Sequence, residues 1–228
     1  MKQTNFLLTS SSKLYIPMAG VLAVCFAAMG GKANVLWGVP FPQGEAELLI
    51  RPFLRWQLLT LPPLLFASEY LCSAKTMAVF IRIRIKNDLK FTVLQIVPCI
   101  TVSALWGTLT ALTALAINPV ESAIEAFFLT VMGHILRMDF YLLLYFATNS
   151  VSASVIAEIL STASIFCIGE LLNSKWEFWP TSWGMVSRSS ICSEHGIQAG
   201  LALKCSLLVF CCSILIIYLV NRQRRKKQ

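Results

Sequence analysis

Six apolar runs, at about residues 14–30, 54–72, 91–117, 124–148, 151–172 and 200–220, leave this chain few ways to fold. A helix needs about 20 apolar residues to cross the hydrocarbon core of a bilayer. Inside lipid the backbone must satisfy its own polar groups, which restricts spanning segments to helices and closed barrels. The chain is 57% hydrophobic and 13% charged, about half the charge of an ordinary soluble domain. Its polar residues are too few to cover a soluble globule of 228 residues. The expectation is an all-α membrane protein, one polytopic domain over residues 1–228 with six transmembrane helices. The first run, Leu14 to Gly30, also has the length of a signal peptide. The stretch Leu22 to Cys25 half-resembles a lipoprotein cleavage site, but Val24 is too bulky where a small residue is expected. An uncleaved span is therefore favoured.

The positive charge supplies the orientation. A net charge of +8 would suggest nucleic acid in a soluble protein. Here the cations lie between and after apolar runs, so membrane lipid is the expected partner and nucleic acid is not. With the amino terminus inside, twelve cations fall on inner segments: Lys2, Lys13, Lys75, Arg82, Arg84, Lys86, Lys90 and five in the tail. Five fall outside (Lys32, Arg51, Arg55, Lys175 and Arg188), and Arg137 and Lys204 lie within spans. This asymmetry predicts both termini on the cytoplasmic side.

The densest of the inner segments is Phe80 to Phe91, F-I-R-I-R-I-K-N-D-L-K-F. As a helix it places Arg82, Lys86 and Lys90 on one stripe beside Ile81, Ile85 and Leu89; as a strand it alternates isoleucine with cation. Periodicity leaves the two open. A polybasic connection of this kind is either an anchor on anionic lipid or a docking surface for a partner.

Other features have plain readings. Pro62 and Pro63 remove backbone donors from the second run and should kink or break it. Seven of the eight cysteines lie in or beside apolar runs, where thiols behave as small hydrophobes; Cys192 falls in a polar loop. No CxxC pair and no cysteine–histidine zinc spacing occurs, so neither a disulfide framework nor a metal site is expected. The loop bearing Trp176, Trp179 and Trp183 suits the outer interface, as an aromatic belt or as a short re-entrant element before the last helix. The tail Arg222 to Lys227 reads as a stop-transfer anchor.

Motifs for catalysis are missing from the sequence. Gly30-Gly31-Lys32 lacks the first glycine and the hydroxyl of a phosphate loop, and neither HExxH nor GxSxG occurs. No catalytic residue and no cofactor is assigned to this chain. The chemistry-bearing candidates are the ionisable residues within spans, His134, Arg137, Asp139 and Glu158, because charge in hydrocarbon is costly unless paired or hydrated. Arg137 lies about eleven residues from the inner end of the fourth span and Glu158 about seven from that of the fifth. At a rise of about 1.5 Å per residue their depths differ by roughly 6 Å, within reach of an arginine. An Arg137–Glu158 pair follows, with Asp139 as a competing partner. It serves either as glue between helices or as part of a substrate path.

A kinked second helix, a basic cytoplasmic connection, a third helix and a polar break before the sixth resemble permease subunits of type-two ABC transporters. R-W-Q-L-L, then I-R-I-R-I-K-N-D-L-K-F and W-P-T-S-W-G-M-V-S-R-S, are similar to permeases of bacteriocin or lantibiotic export and self-immunity systems. The resemblance covers most of the chain through short motifs. It implies a multi-pass subunit in a bacterial cell membrane, paired with a second permease. A separate ATPase would bind the ATP and dock at or near Arg82, Arg84, Ile85 and Lys86. Two other classes remain open: a non-transporting membrane scaffold or peptide-sequestering immunity protein, and an ion-coupled secondary transporter.

Overall fold

The computed structural model describes residues 36–39, 47–77, 85, 87–117, 119–171, 182–192 and 196–226. The first apolar run, the cations Arg82, Arg84 and Lys86, and Trp176 and Trp179 lie outside them. Among the described residues the regular structure is helical: α1 Glu47–Thr76, α2 Asp88–Ile117, α3 Ala123–Thr148, α4 Val151–Leu171 and α5 Ala199–Lys226, with a 3-10 turn at Val186–Arg188. Stretches within α2, α3 and α5 (Leu89–Ile117, Ala123–Thr148 and Ala199–Gln223) are long and apolar enough to cross a membrane. Large apolar side chains cover their outer faces, including Leu105 and Leu109 on α2, Ile124 on α3 and Leu207 and Leu208 on α5. Such faces suit lipid rather than water, as a membrane protein requires.

The helices alternate in direction. Lys75, at the C-terminal end of α1, donates a hydrogen bond to the Asn149 carbonyl between α3 and α4 (3.1 Å). Asn221, near the end of α5, donates to the Thr92 hydroxyl in the first turns of α2 (3.0 Å). The chain reverses between α3 and α4 at Asn149, which takes the left-handed conformation (φ 57°) and donates its N–H to Tyr145 O. Asparagine tolerates that region better than most residues, and the bond satisfies one carbonyl of the last turn.

The start of α2 settles one alternative left open by the sequence. Asn87 Oδ1 accepts from the Leu89 and Lys90 N–H groups (2.9 and 3.4 Å), a capping arrangement that begins the helix at Asp88. Ile85 lies before this cap, outside any helix, so Ile85 and Leu89 do not share a helical stripe. Phe91 belongs to the first turn of α2 and is buried.

The proline pair does not break α1, which runs on through Pro62 and Pro63. A proline leaves the carbonyl four residues earlier without its helical donor. For Pro63 that carbonyl is Leu59 O, and Trp106 Nε1 of α2 donates to it at 2.8 Å. Pro98 inside α2 frees Leu94 O in the same way, and the Tyr70 hydroxyl of α1 donates to it at 2.7 Å. Each helix thus supplies an aromatic donor for the carbonyl that the other's proline exposes. Neighbouring side chains satisfy freed carbonyls in this way where water is absent.

Helix α3 is the hub, packing against α1, α2, α4 and α5. Toward α2 the contact is made by small residues: buried Ser103, Ala111 and Ala114, with Gly107 so close that a Cβ there would lie 3.0 Å from the Val131 backbone. Small residues let helix backbones approach, a main source of packing energy when lipid removes the hydrophobic drive. Ser103 uses the approach to donate to His134 O at 2.6 Å. Apolar side chains gather toward the two ends of the bundle. Toward one lie Leu71, Tyr141, Leu142, Tyr145 and Phe146. Toward the other lie Leu36, Trp37, Leu129, Val186 and Ala199.

Candidate functional site

Between those apolar ends lies a polar layer centred on Arg137. Arg137 stands near the middle of the 26 residues of α3, roughly 21 Å from its start and roughly 17 Å from its end. It is 8% exposed, so its charge must find partners inside the protein. Its Nε donates to Glu158 Oε1 of α4 at 2.6 Å, and Nη2 donates to Gln57 Oε1 of α1 at 2.8 Å. Thr162, one turn beyond Glu158, accepts a longer bond at 3.5 Å and donates to Glu158 through its own hydroxyl (3.0 Å). The guanidinium carbon also lies 4.6 Å from the Trp56 ring centroid, a cation–π distance. One side chain thereby ties α1, α3 and α4 together.

The ion pair expected from helix depths is therefore present, but Asp139 does not compete for it. Residues two apart on a helix face different directions. Asp139 instead meets Ser213 of α5, whose hydroxyl hydrogen bonds to its Oδ2. That hydroxyl also approaches Phe210 O at 2.9 Å and has one hydrogen for the two acceptors. Asp139, 2% exposed, is thus weakly satisfied. His134 is buried one turn before Arg137, beside a water-sized void that Trp37, Trp56 and Thr60 also line.

A much larger cavity opens on the other side of the layer, with a volume of about 370 Å³ between α3, α4 and α5. Its polar wall carries Arg137, Asp139, Glu158, Ser161, Thr162 and Ser213, and its apolar wall Leu136, Phe140, Leu143 and Val209. Several atoms in this layer have no hydrogen-bond partner among the described residues: Arg137 Nη1, Asp139 Oδ1, Glu158 Oε2 and Gln57 Nε2. Buried polar groups are almost always satisfied, and in these positions a water or a ligand would complete them. The volume falls in the range of small-molecule sites, which combine an oily lining with a few convergent polar groups.

The segment between α4 and α5 closes one side of this region. Gly184 rests on Gly133 of α3 so tightly that a Cβ on Gly133 would lie 2.7 Å from the Gly184 backbone. Gly133 is ten positions into α3, so the loop reaches about 15 Å along the bundle. It is held by buried Arg188, whose Nε donates to Val39 O at 2.8 Å, and by a small turn in which Ser190 N bonds to Ile197 O (2.8 Å). Gly38 takes a positive φ of 109° beneath Met185, which leaves no room for a side chain.

All four intramembrane candidates, His134, Arg137, Asp139 and Glu158, are buried, and three of them line the large cavity. Of the docking candidates only Ile85 is described, and it is partly buried. The sequence reading passed over Trp56, Gln57, Thr162 and Ser213. For Gln57 a usable signal was present, since an amide in a predicted span needs polar partners. Comparison with known proteins finds no matching family model, no similar curated protein and no similar solved structure.

Proposed function

We propose that the chain is the membrane-spanning permease subunit of a transporter that exports or expels its substrate. It would sit in a bacterial cell membrane with six spans and both termini inside. The observation that carries this reading is the cavity of about 370 Å³ walled by the Arg137–Glu158 pair midway along the bundle. The pair ties helices together, but it also borders internal space, and intramembrane ionisable residues in that setting mark substrate and ion paths. The loop against Gly133 supports a re-entrant element: its irregular backbone is packed within protein, the setting in which such backbone is tolerated at membrane depth.

The energy source rests on the sequence. The chain carries no phosphate loop, and the resemblance to type-two ABC permeases points to a separate ATPase docked on Arg82, Arg84, Ile85 and Lys86, with a second permease completing the assembly. A second reading, an ion-coupled secondary transporter, draws on Asp139 and Glu158, each of which has a carboxylate oxygen without a partner among the described residues in the layer beside the cavity. Purification from native membranes with identification of partners by mass spectrometry separates the two. The ABC reading requires an ATPase to copurify with the chain and to be lost in Ile85→Asp while insertion stays normal. Active transport by the chain purified alone, driven by an ion gradient, would establish the second.

A further inference from the structure

We infer that the large cavity binds a small organic cation: an ammonium group seated on Asp139, with an apolar body against Leu136, Phe140, Leu143 and Val209. This rests on the reading of the cavity as a substrate site and names the class of substrate. Two carboxylates and one guanidinium stand on the cavity wall. The guanidinium is already committed, to Glu158 at 2.6 Å, to Gln57 at 2.8 Å and to the face of Trp56. Asp139 has no cationic partner among the described residues, where Arg137–Glu158 is the one ion pair. Its Oδ2 shares a single hydroxyl hydrogen with Phe210 O, and its Oδ1 has no partner among the described residues. When Asp139 is ionised the wall carries one negative charge more than it neutralises, on a side chain that is 2% exposed, so a bound cation and the charged carboxylate favour each other.

An anionic ligand would meet that excess charge directly. A neutral ligand would leave it uncompensated. A cation supplies the missing charge, and a primary ammonium also brings N–H donors for Oδ1 and Oδ2. A bare alkali ion wants several oxygen ligands at short range, whereas the opposite wall offers only hydrocarbon. The apolar wall instead suits an alkyl or aryl body, and the volume suits one small molecule.

Isothermal titration of the purified chain in phosphatidylcholine nanodiscs tests this, with empty nanodiscs correcting for partition into lipid. The probes are 4-phenylbutylammonium, the neutral 4-phenylbutanol and the anion 4-phenylbutyrate. The amine should bind at least about tenfold more tightly than the alcohol, which can donate one hydrogen bond to the carboxylate but brings no compensating charge. The carboxylate should bind most weakly. Asp139→Asn keeps the size of the side chain and its bond to Ser213. It should erase the preference for the amine over the alcohol, while an unfolding midpoint in nanodiscs within a few degrees of the unaltered chain's reports an intact fold. Equal affinity for amine and alcohol in the unaltered chain would overturn the inference, as would a preference for the carboxylate or retention of amine selectivity in Asp139→Asn. Stabilisation by sodium without amine binding would overturn it too. None of these measurements needs an ATPase, so their failure is separate from failure of the ABC reading, which copurification decides.

Discussion

Replacing Arg137 or Glu158 singly should damage the protein more than replacing both. Glu158→Leu leaves a guanidinium at 8% exposure with Gln57, Thr162 and the Trp56 face but no counter-charge. Arg137→Met leaves a carboxylate at 1% exposure whose remaining donor is the Thr162 hydroxyl at 3.0 Å. Breaking one side of a buried ion pair costs about 3–5 kcal/mol, because the surviving charge is left in a medium that cannot solvate it. Removing both charges with side chains of similar volume discards the pair and its desolvation cost together, and such exchanges are often close to neutral. The double variant should therefore lie well above either single one, with a coupling energy of about 2–3 kcal/mol in a double-mutant cycle. Bonds to Gln57 and Thr162 dilute the coupling, since each single variant keeps part of the network. The assay is reversible unfolding in lipid nanodiscs, read by steric trapping. Losses that add to within about 0.5 kcal/mol would refute the reasoning and mark the two residues as energetically independent.

Further outcomes follow from the geometry and the charge pattern. Trp106→Phe should destabilise by about 1 kcal/mol by leaving Leu59 O without a donor, and Pro63→Ala in the same chain should recover most of the loss by restoring the helical N–H; no recovery would show that the indole acts through packing alone. Gly133→Ala should cost about 1–3 kcal/mol and expose the 182–192 loop to protease, because the added methyl collides with the Gly184 backbone; unchanged stability and protection would contradict the close approach. In intact cells, a membrane-impermeant maleimide should label exposed Cys192 and not a cysteine placed at exposed Asn87, the reverse pattern overturning the proposed orientation. Burial pushes the Cys192 thiol above its ordinary value, so its labelling should keep accelerating as pH rises from neutral through the usual thiol range.

How far the sequence could be read depended on which residues carry a detectable cost. Helix limits at Ile117, Thr148 and Val151 were legible because apolar runs stop there at polar or turn-forming residues. The Arg137–Glu158 pair was legible because a charge in a predicted span demands a partner and helical rise gives its depth. The partners Thr162 and Ser213 were not, since hydroxyls are common in spans and carry no depth signal of their own; the Gln57 amide signalled a need for partners without pointing to Arg137. Helix α1 extends beyond the expected 54–72 on both sides because Glu, Arg and Lys are good helix formers even where they end an apolar run. Of the kink or break expected at the proline pair, the break does not occur, because the rescue of its free carbonyl depends on Trp106, forty-three positions away from Pro63 in the chain. The cavity itself comes from the mutual placement of α3, α4 and α5, which no local pattern encodes.

The central claim is that the cavity beside Arg137 belongs to a transport path, and water access to its wall tests that most directly. Ser161 lines the cavity on α4. In a chain whose native cysteines are replaced, Ser161→Cys should react with a small hydrophilic thiol reagent from one face of sealed membrane vesicles. Energising the vesicles, with ATP and any ATPase that copurifies with the chain or with an imposed ion gradient, should change the rate or the face of labelling. A thiol at this position that stays unreactive from both faces, energised or not, would mean a sealed void inside a structural bundle and would contradict the account.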